Sequence, residues 1–353
     1  SAASDVYKRQ AYIRSKDPTR EVYHHSGGNF GPWETTNCYL NWMPMQERRD
    51  YLAHWGTKGV KPLFLTEFGM PFVASWGRYR GPGVYRSTAD SEPLFIEYAA
   101  AITGAKAYEV NPTHEKYVAE YEQTYAKAGR SNWGLLTNPW ARRSTEWNYV
   151  EIQAKVALET FPAMRTWGVS AILPWDYKSV ANWTEKTPAK VKLTEPAEDW
   201  TKPGIHPDTA MGFGYGVDET WFNSASADTF AMSSLGEAFK RVNADVLAWI
   251  AGSPDNFTEQ THVFTPGKTF TKQVIVINDL RRELKAKYAV KVTLGERVLS
   301  TIENDVTVAA GRQARVPIDC AIPAEASGGG MIELTLTIPG GKAQQDQFTF
   351  QVV

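Results

Sequence analysis

The sequence predicts an α/β unit followed by an all-β sandwich. Two patterns and the break between them carry that expectation. Up to about residue 250, short apolar runs that stop on polar or small residues alternate with amphipathic stretches, the order expected of βα units around a parallel sheet. Beyond Gly252-Ser253-Pro254-Asp255 the pattern turns to period two, rich in β-branched residues and punctuated by Pro-Gly, Asn-Asp and Gly-Gly turns. Short strands spaced in that way indicate a sandwich of immunoglobulin-like type. A chain of 353 residues has room for two or three domains, and the pattern divides it into 11–252 and 253–353.

In chain order, residues 21–27 and 35–40 are the first two expected strands. Residues 46–57 follow as a helix with Leu52 and Trp55 inward. They lead into Lys61-Pro62-Leu63-Phe64-Leu65-Thr66-Glu67-Phe68-Gly69, a continuous apolar run of the kind a buried parallel strand shows. Residues 145–167 read as a long amphipathic helix before a fourth strand at 169–176. An insertion of roughly a hundred residues separates the third and fourth strands, with a helix expected at 114–128, and a second irregular stretch covers 177–231. Long loops leaving the carboxyl ends of strands are usually functional. Residues 232–251, with Leu235, Phe239, Val242, Val246 and Ile250 at helical spacing, read as a closing helix. Sandwich strands are expected at 273–278, 288–294, 306–308, 314–318, 332–338 and 347–353.

Residues 1–10 stand apart. They resemble the codon-by-codon translation of a transposase sequencing adapter and are set outside the fold expectation, as any added segment is; a natural N-terminal helix is the alternative. On the adapter reading the chain is the C-terminal portion of something longer.

A net charge of −1, from 38 basic and 39 acidic residues, offers no electrostatic footprint for nucleic acid or an anionic membrane. No apolar run approaches the roughly 20 residues of a membrane helix. Cys38 and Cys320 fall in different units, so neither a disulfide framework nor a metal ligand set is expected. Gly81-Pro82-Gly83 and Gly328-Gly329-Gly330 lack the strand-loop-helix setting of a phosphate loop, and no cofactor is expected. The 13 Trp and 16 Tyr are more telling. Many serve cores, but several sit among Gly, Pro and polar residues, where flat faces suit sugar rings.

Glu67 ends an apolar run at the rim where α/β enzymes hold their chemistry, which makes it a candidate nucleophile. Asp17-Pro18-Thr19-Arg20, His24-His25-Ser26-Gly27, Asn37-Cys38-Tyr39-Leu40-Asn41-Trp42 and Lys61-Pro62 leading to Thr66-Glu67-Phe68-Gly69 resemble, in order and spacing, the second half of the catalytic barrel of clan A glycoside hydrolases, with the β-galactosidase and β-glucuronidase-like members nearest. The resemblance covers about residues 11–176 and is dense to Gly69. It implies a partial (β/α)8 barrel, strands five to eight, ahead of the sandwich. It also implies that Glu67 is the nucleophile and that Tyr39 hydrogen-bonds it, with Asn37, His24 and His25 lining the pocket and Trp175 stacking under the sugar. Alternating on one strand, His24 and His25 cannot both point inward. Asp176 is a candidate for a sugar hydroxyl, and Trp42 and Trp76 for subsite walls; ordinary capping or packing explains each of these as well.

The implied activity is retaining hydrolysis of β-glycosidic bonds in oligo- or polysaccharides, β-galactosidase-like, in a secreted or periplasmic setting taken from the substrate class. The Asn-Glu pair that supplies the acid/base in that clan does not occur, so the acid/base is expected upstream of this chain and the chain alone is expected to be inactive. Agarase, mannanase or glucuronidase specificity is an alternative, as is a non-catalytic carbohydrate-binding or scaffolding protein with a degenerate barrel. The sandwich segment offers few Trp or Tyr beyond Tyr288, which favours a spacer role there over a sugar platform.

Overall fold

The computed structural model describes residues 2–40, 43–69, 149–175, 180–183, 191–192, 219–220 and 230–353. The elements that place the site are β1 (Glu34–Cys38), β2 (Leu63–Gly69) and β3 (Ala171–Trp175), which pair in parallel in the order β1-β2-β3. Between β1 and β2 run two short helices, α2 (Met45–Asp50) and α3 (Ala53–Lys58). They replace the single helix expected at 46–57, and the break at Tyr51-Leu52 lets Leu52 turn into the core. Helix α4 (Tyr149–Trp167) precedes β3 and covers one face of the sheet. Gly168, at φ 92°, stops α4: its N–H bonds to Arg165 O and that of Val169 to Met164 O, the paired closure that a left-handed residue after a helix permits. Helix α1 (Ala2–Lys16) spans residues on both sides of position 10.

A one-residue bulge in β2 decides which way Glu67 points. Both neighbours see it: Thr36 faces Leu65 while Asn37 faces Glu67, and Leu65 faces Ile172 while Phe68 faces Pro174. Strict alternation would put Glu67 on the face of Leu63 and Leu65. The extra residue flips the parity, so Phe68 joins those leucines in the core, against Phe161 of α4 at 5.3 Å between ring centres. Glu67 is released to the other face. Bulges re-aim side chains in this way beside functional sites.

Downstream, β4 (Ala181–Trp183) pairs with β7 (Phe230–Met232), and β5 (Val191–Lys192) with β6 (Glu219–Thr220). Helix α5 (Ser234–Val242) starts at the Ser233 cap, whose hydroxyl accepts the Gly236 N–H, and packs on α4 through stacked Phe161 and Phe239. The closing helix expected at 232–251 is therefore corrected. It ends at Val242, and β8 (Val246–Ala251) is a fully buried strand.

β8 belongs to the sandwich. One sheet has the order β13-β10-β8, with β13 (Arg312–Ala321) and β10 (Thr269–Asn278). The other runs β12-β11-β14-β15-β9, from β12 (Arg297–Val308) and β11 (Leu284–Leu294) through β14 (Gly328–Thr337) and β15 (Gln344–Val352) to β9 (Val263–Phe264). Val246, Ala248 and Ile250 face the core between the sheets. Leu247, Trp249 and Ala251 face the other way, onto Ala163, Phe257 and Trp167. Apolar residues at both parities explain why this run reads as a helix: a strand buried on both faces has no period-two signal.

The partial barrel is corrected as well. Residues 21–27 form no strand; a turn with Ser26 at positive φ interrupts them. Among the described residues the parallel sheet has three strands and is open, too few to curl into a barrel that closes with eight. The architecture is instead layered: parallel sheet, α4, three-stranded sheet, five-stranded sheet. The helix expected at 114–128 lies outside the described residues.

Candidate functional site

Glu67 lies near the carboxyl end of β2 with its side chain 25% exposed. Two donors hold its carboxylate. The Tyr39 hydroxyl donates to Oε2, and His25 Nε2 lies 2.9 Å from Oε1, where an Nε2–H donates to the carboxylate form. Tyr39 follows β1 directly, and the bulge brings Asn37 opposite Glu67. The Tyr39 ring rests on the backbone of Gly69, where a Cβ would lie 2.4 Å from its Cδ1. A side chain at position 69 would therefore displace the ring. Glycine after Phe68 lets the tyrosine reach the carboxylate.

The turn that carries His25 covers the free edge of β1. Gly28 and Thr35 exchange backbone hydrogen bonds, Asn37 N donates to Ser26 Oγ at 3.1 Å, and Gly27 N donates to Thr35 Oγ1 at 3.0 Å. Thr66, the bulged residue, accepts from Ser26 N at 3.3 Å and donates to Asn37 Oδ1 at 2.9 Å. An edge strand with unpaired amides is a liability, and this turn satisfies it.

Of the residues singled out from the sequence, the structure brings together Glu67, Tyr39 and His25. Asn37 stands one step away and acts on the turn. His24 points elsewhere. Its Nε2 lies 2.8 Å from Gln10 Nε2, which also donates to Phe30 O; an amide nitrogen only donates, so His24 Nε2 is the unprotonated ring nitrogen. Trp175 ends β3 in register with Gly69. Asp176, Trp42 and Trp76 lie outside the described residues. Ser26, Thr66 and Gly69 were not singled out. The Ser-Gly-Gly after the histidine pair and the glycine after the carboxylate are the signals that could have found them.

Among the described residues no group of three or more His, Cys, Asp or Glu side chains could hold a metal ion, and no helix is long and apolar enough to cross a membrane. Cys38, beneath the site, is 3% exposed, and burial pushes its thiol up to about 12 despite the opposing Arg48 charge. A cavity of about 530 Å³ opens near Arg165, Gly168, Ser170, Asp279, Arg312 and Gln313. It lies at the amino ends of the strands, away from Glu67, and Arg165 is already engaged by Val242 O and Asp279.

No known family matches the chain, and no curated protein does. Solved structures similar to it include the CARDB domain of a Pyrococcus furiosus protein in complex with di-metal ions, at 16% identity over 31% of this chain and 88% of that one, TM-score 0.24. Red sea bream transglutaminase is similar at 13% identity over 34% and 18%, TM-score 0.25. The native conformation of Escherichia coli alpha-2-macroglobulin is similar at 21% identity over 31% and 7%, TM-score 0.25. At such scores none of them bears on function. The resemblance to the clan A glycoside hydrolases is corrected on the fold: no known family matches, and among the described residues the parallel sheet is open and has three strands where the implied half-barrel needs four.

Proposed function

We propose that Glu67 is the nucleophile of a retaining hydrolysis of β-glycosidic bonds in oligo- or polysaccharides, with a β-galactoside-like substrate and a secreted or periplasmic setting. The observation that carries this reading is the pair of donors on one carboxylate at the carboxyl rim of a parallel sheet. Hydrogen bonds to the charged form favour it, and two of them leave lone pairs on both oxygens for attack. One carboxylate oxygen attacks the anomeric carbon and the bond to the leaving oxygen breaks. Water then attacks the anomeric carbon with a second inversion, its proton passing to a second carboxylate and Glu67 leaving as the free carboxylate, which restores the configuration. The leaving oxygen of a natural substrate needs a proton from a carboxylic acid about 5 to 5.5 Å from the nucleophile. Among the described residues the groups bonded to Glu67 are a phenol and an imidazole.

An activated substrate removes that need, because dinitrophenolate departs without a proton. The full chain is incubated with 2,4-dinitrophenyl 2-deoxy-2-fluoro-β-glycosides of galactose, glucose, mannose and glucuronic acid. One glycosyl unit is expected on Glu67 by peptide mass spectrometry, and none on Glu67→Gln. No label from any of the four refutes the nucleophile.

A further inference from the structure

We propose that Ser26 is the positioning residue of this site: its left-handed backbone and its hydroxyl together set His25 on Glu67. The inference rests on the reading of Glu67 as nucleophile. Among the described residues Ser26 is the one non-glycine with positive φ, at 51°. Such a backbone is uncommon for a residue with a Cβ, and glycine or asparagine would suit it better. The serine is explained by its oxygen. Ser26 Oγ accepts the N–H of Asn37, the residue opposite Glu67, at 3.1 Å, while Ser26 N donates to the bulged Thr66 at 3.3 Å.

One residue thus bridges both strands at the level of the carboxylate. On either side of it the chain is fixed again. Thr35 Oγ1 donates to His24 O and accepts from Gly27 N, and Gly28 pairs with Thr35. His25 lies between these anchors with its side chain 53% exposed. Among the described residues its one hydrogen bond is to Glu67. With half of the imidazole in solvent and one hydrogen bond on it among the described residues, the backbone at Ser26 is the element that sets where it sits. Strained residues fixed by their surroundings are a recurring feature of sites that need a group held in one place.

The test follows formation of the glycosyl-Glu67 adduct with the dinitrophenyl fluoroglycosides and separates the limiting rate from the half-saturating concentration. Ser26→Ala keeps the strain and loses the oxygen; Ser26→Gly takes the same φ without strain and also loses it. Both are expected to lower the limiting rate about 10- to 100-fold with little change in half-saturation. His25→Ala should lose a similar factor, and Ser26→Ala combined with His25→Ala should lose no more than His25→Ala alone, because both changes remove one contact. Wild-type rates in the two Ser26 variants overturn the proposal, as does a double variant whose losses multiply. If Ser26→Ala fails to melt cooperatively, Ser26→Gly decides. Failure of both to fold makes Ser26 merely structural and also overturns it. An unlabelled wild type instead refutes the nucleophile before any variant is compared.

Discussion

Gly69→Ala tests the site geometry most directly. The added Cβ would sit 2.4 Å from Tyr39 Cδ1, 3.0 Å from its Cγ and 3.2 Å from its Cα. Ordinary carbon contacts need about 3.5 to 4.0 Å, so the ring has to move by more than 1 Å, and the close Cα prevents it from simply pivoting in place. The hydroxyl leaves Glu67 in consequence. Overpacking of this kind costs about 1 to 3 kcal/mol of stability. A hydrogen bond to a charged group contributes about 1.5 to 3 kcal/mol, which, if lost from the transition state, corresponds to about 10- to 150-fold in rate. Adduct formation at Glu67 should fall by that factor, Tyr39→Phe should match it, and the double variant should be no worse than Tyr39→Phe in rate. Thermal melting reports the stability loss separately. A Gly69→Ala protein that melts lower yet forms the adduct at the wild-type rate would show that Tyr39 does not act on Glu67.

Three further outcomes follow from the packing and charge. Trp249, 4% exposed, donates its indole N–H to Thr166 Oγ1 at 3.2 Å and has Arg49 over its ring at 5.2 Å; Trp249→Ala should lower unfolding free energy by about 3 to 5 kcal/mol in urea titration, and a loss below about 1 kcal/mol would remove the seam between α4 and β8 from the account. The Glu259 carboxyl is opposed by burial, but hydrogen bonds from Thr261 and Lys272 outweigh it and hold the group below its ordinary 4.5. Its contribution is therefore present above that value and lost as pH falls through the lowered one. Glu259→Gln should flatten this acid limb, and at neutral pH it should cost about 3 to 5 kcal/mol by leaving Lys272, 1% exposed, without its counter-ion. Unchanged denaturation midpoints at both pH values would exclude the pair as a stabilising one. Finally, Cys38 and Cys320 are buried, so a thiol reagent at pH 8 should titrate neither in the native protein and both after guanidinium.

Legibility followed environment. β11 alternates buried residues with exposed or half-buried ones along its whole length, and such half-solvated strands are visible in a sequence. β2 was visible as a continuous apolar run, but its bulge was not, because Thr66 and Glu67 carry no local signal that one residue is extra. The 21–27 segment has the residue types of a strand, yet its hydrogen bonds go to the side chains of Thr35 and Thr66 and not to a ladder. β8 was hidden because it is apolar at both parities. Glu67 could be singled out from its place at the end of an apolar run, and Tyr39 through the resemblance alone; the turn that delivers His25 depends on tertiary hydrogen bonds among Ser26, Asn37 and Thr66 that no window of sequence contains.

Burial of β8 on both faces also governs how the molecule can be divided. Severing the chain at the change of composition near Gly252 would strip β8 from β10 and unpair the backbone of β10 from Gln273 to Asn278 along that side. Starting a piece ahead of Val246 restores that strand but removes Ala163 and Trp167 of α4 from the apolar cluster of Leu247 and Trp249, and Arg49 from the Trp249 ring. The sandwich is therefore no interchangeable module that could be grafted elsewhere or dispensed with, and the half of the protein bearing Glu67 rests on it as a floor.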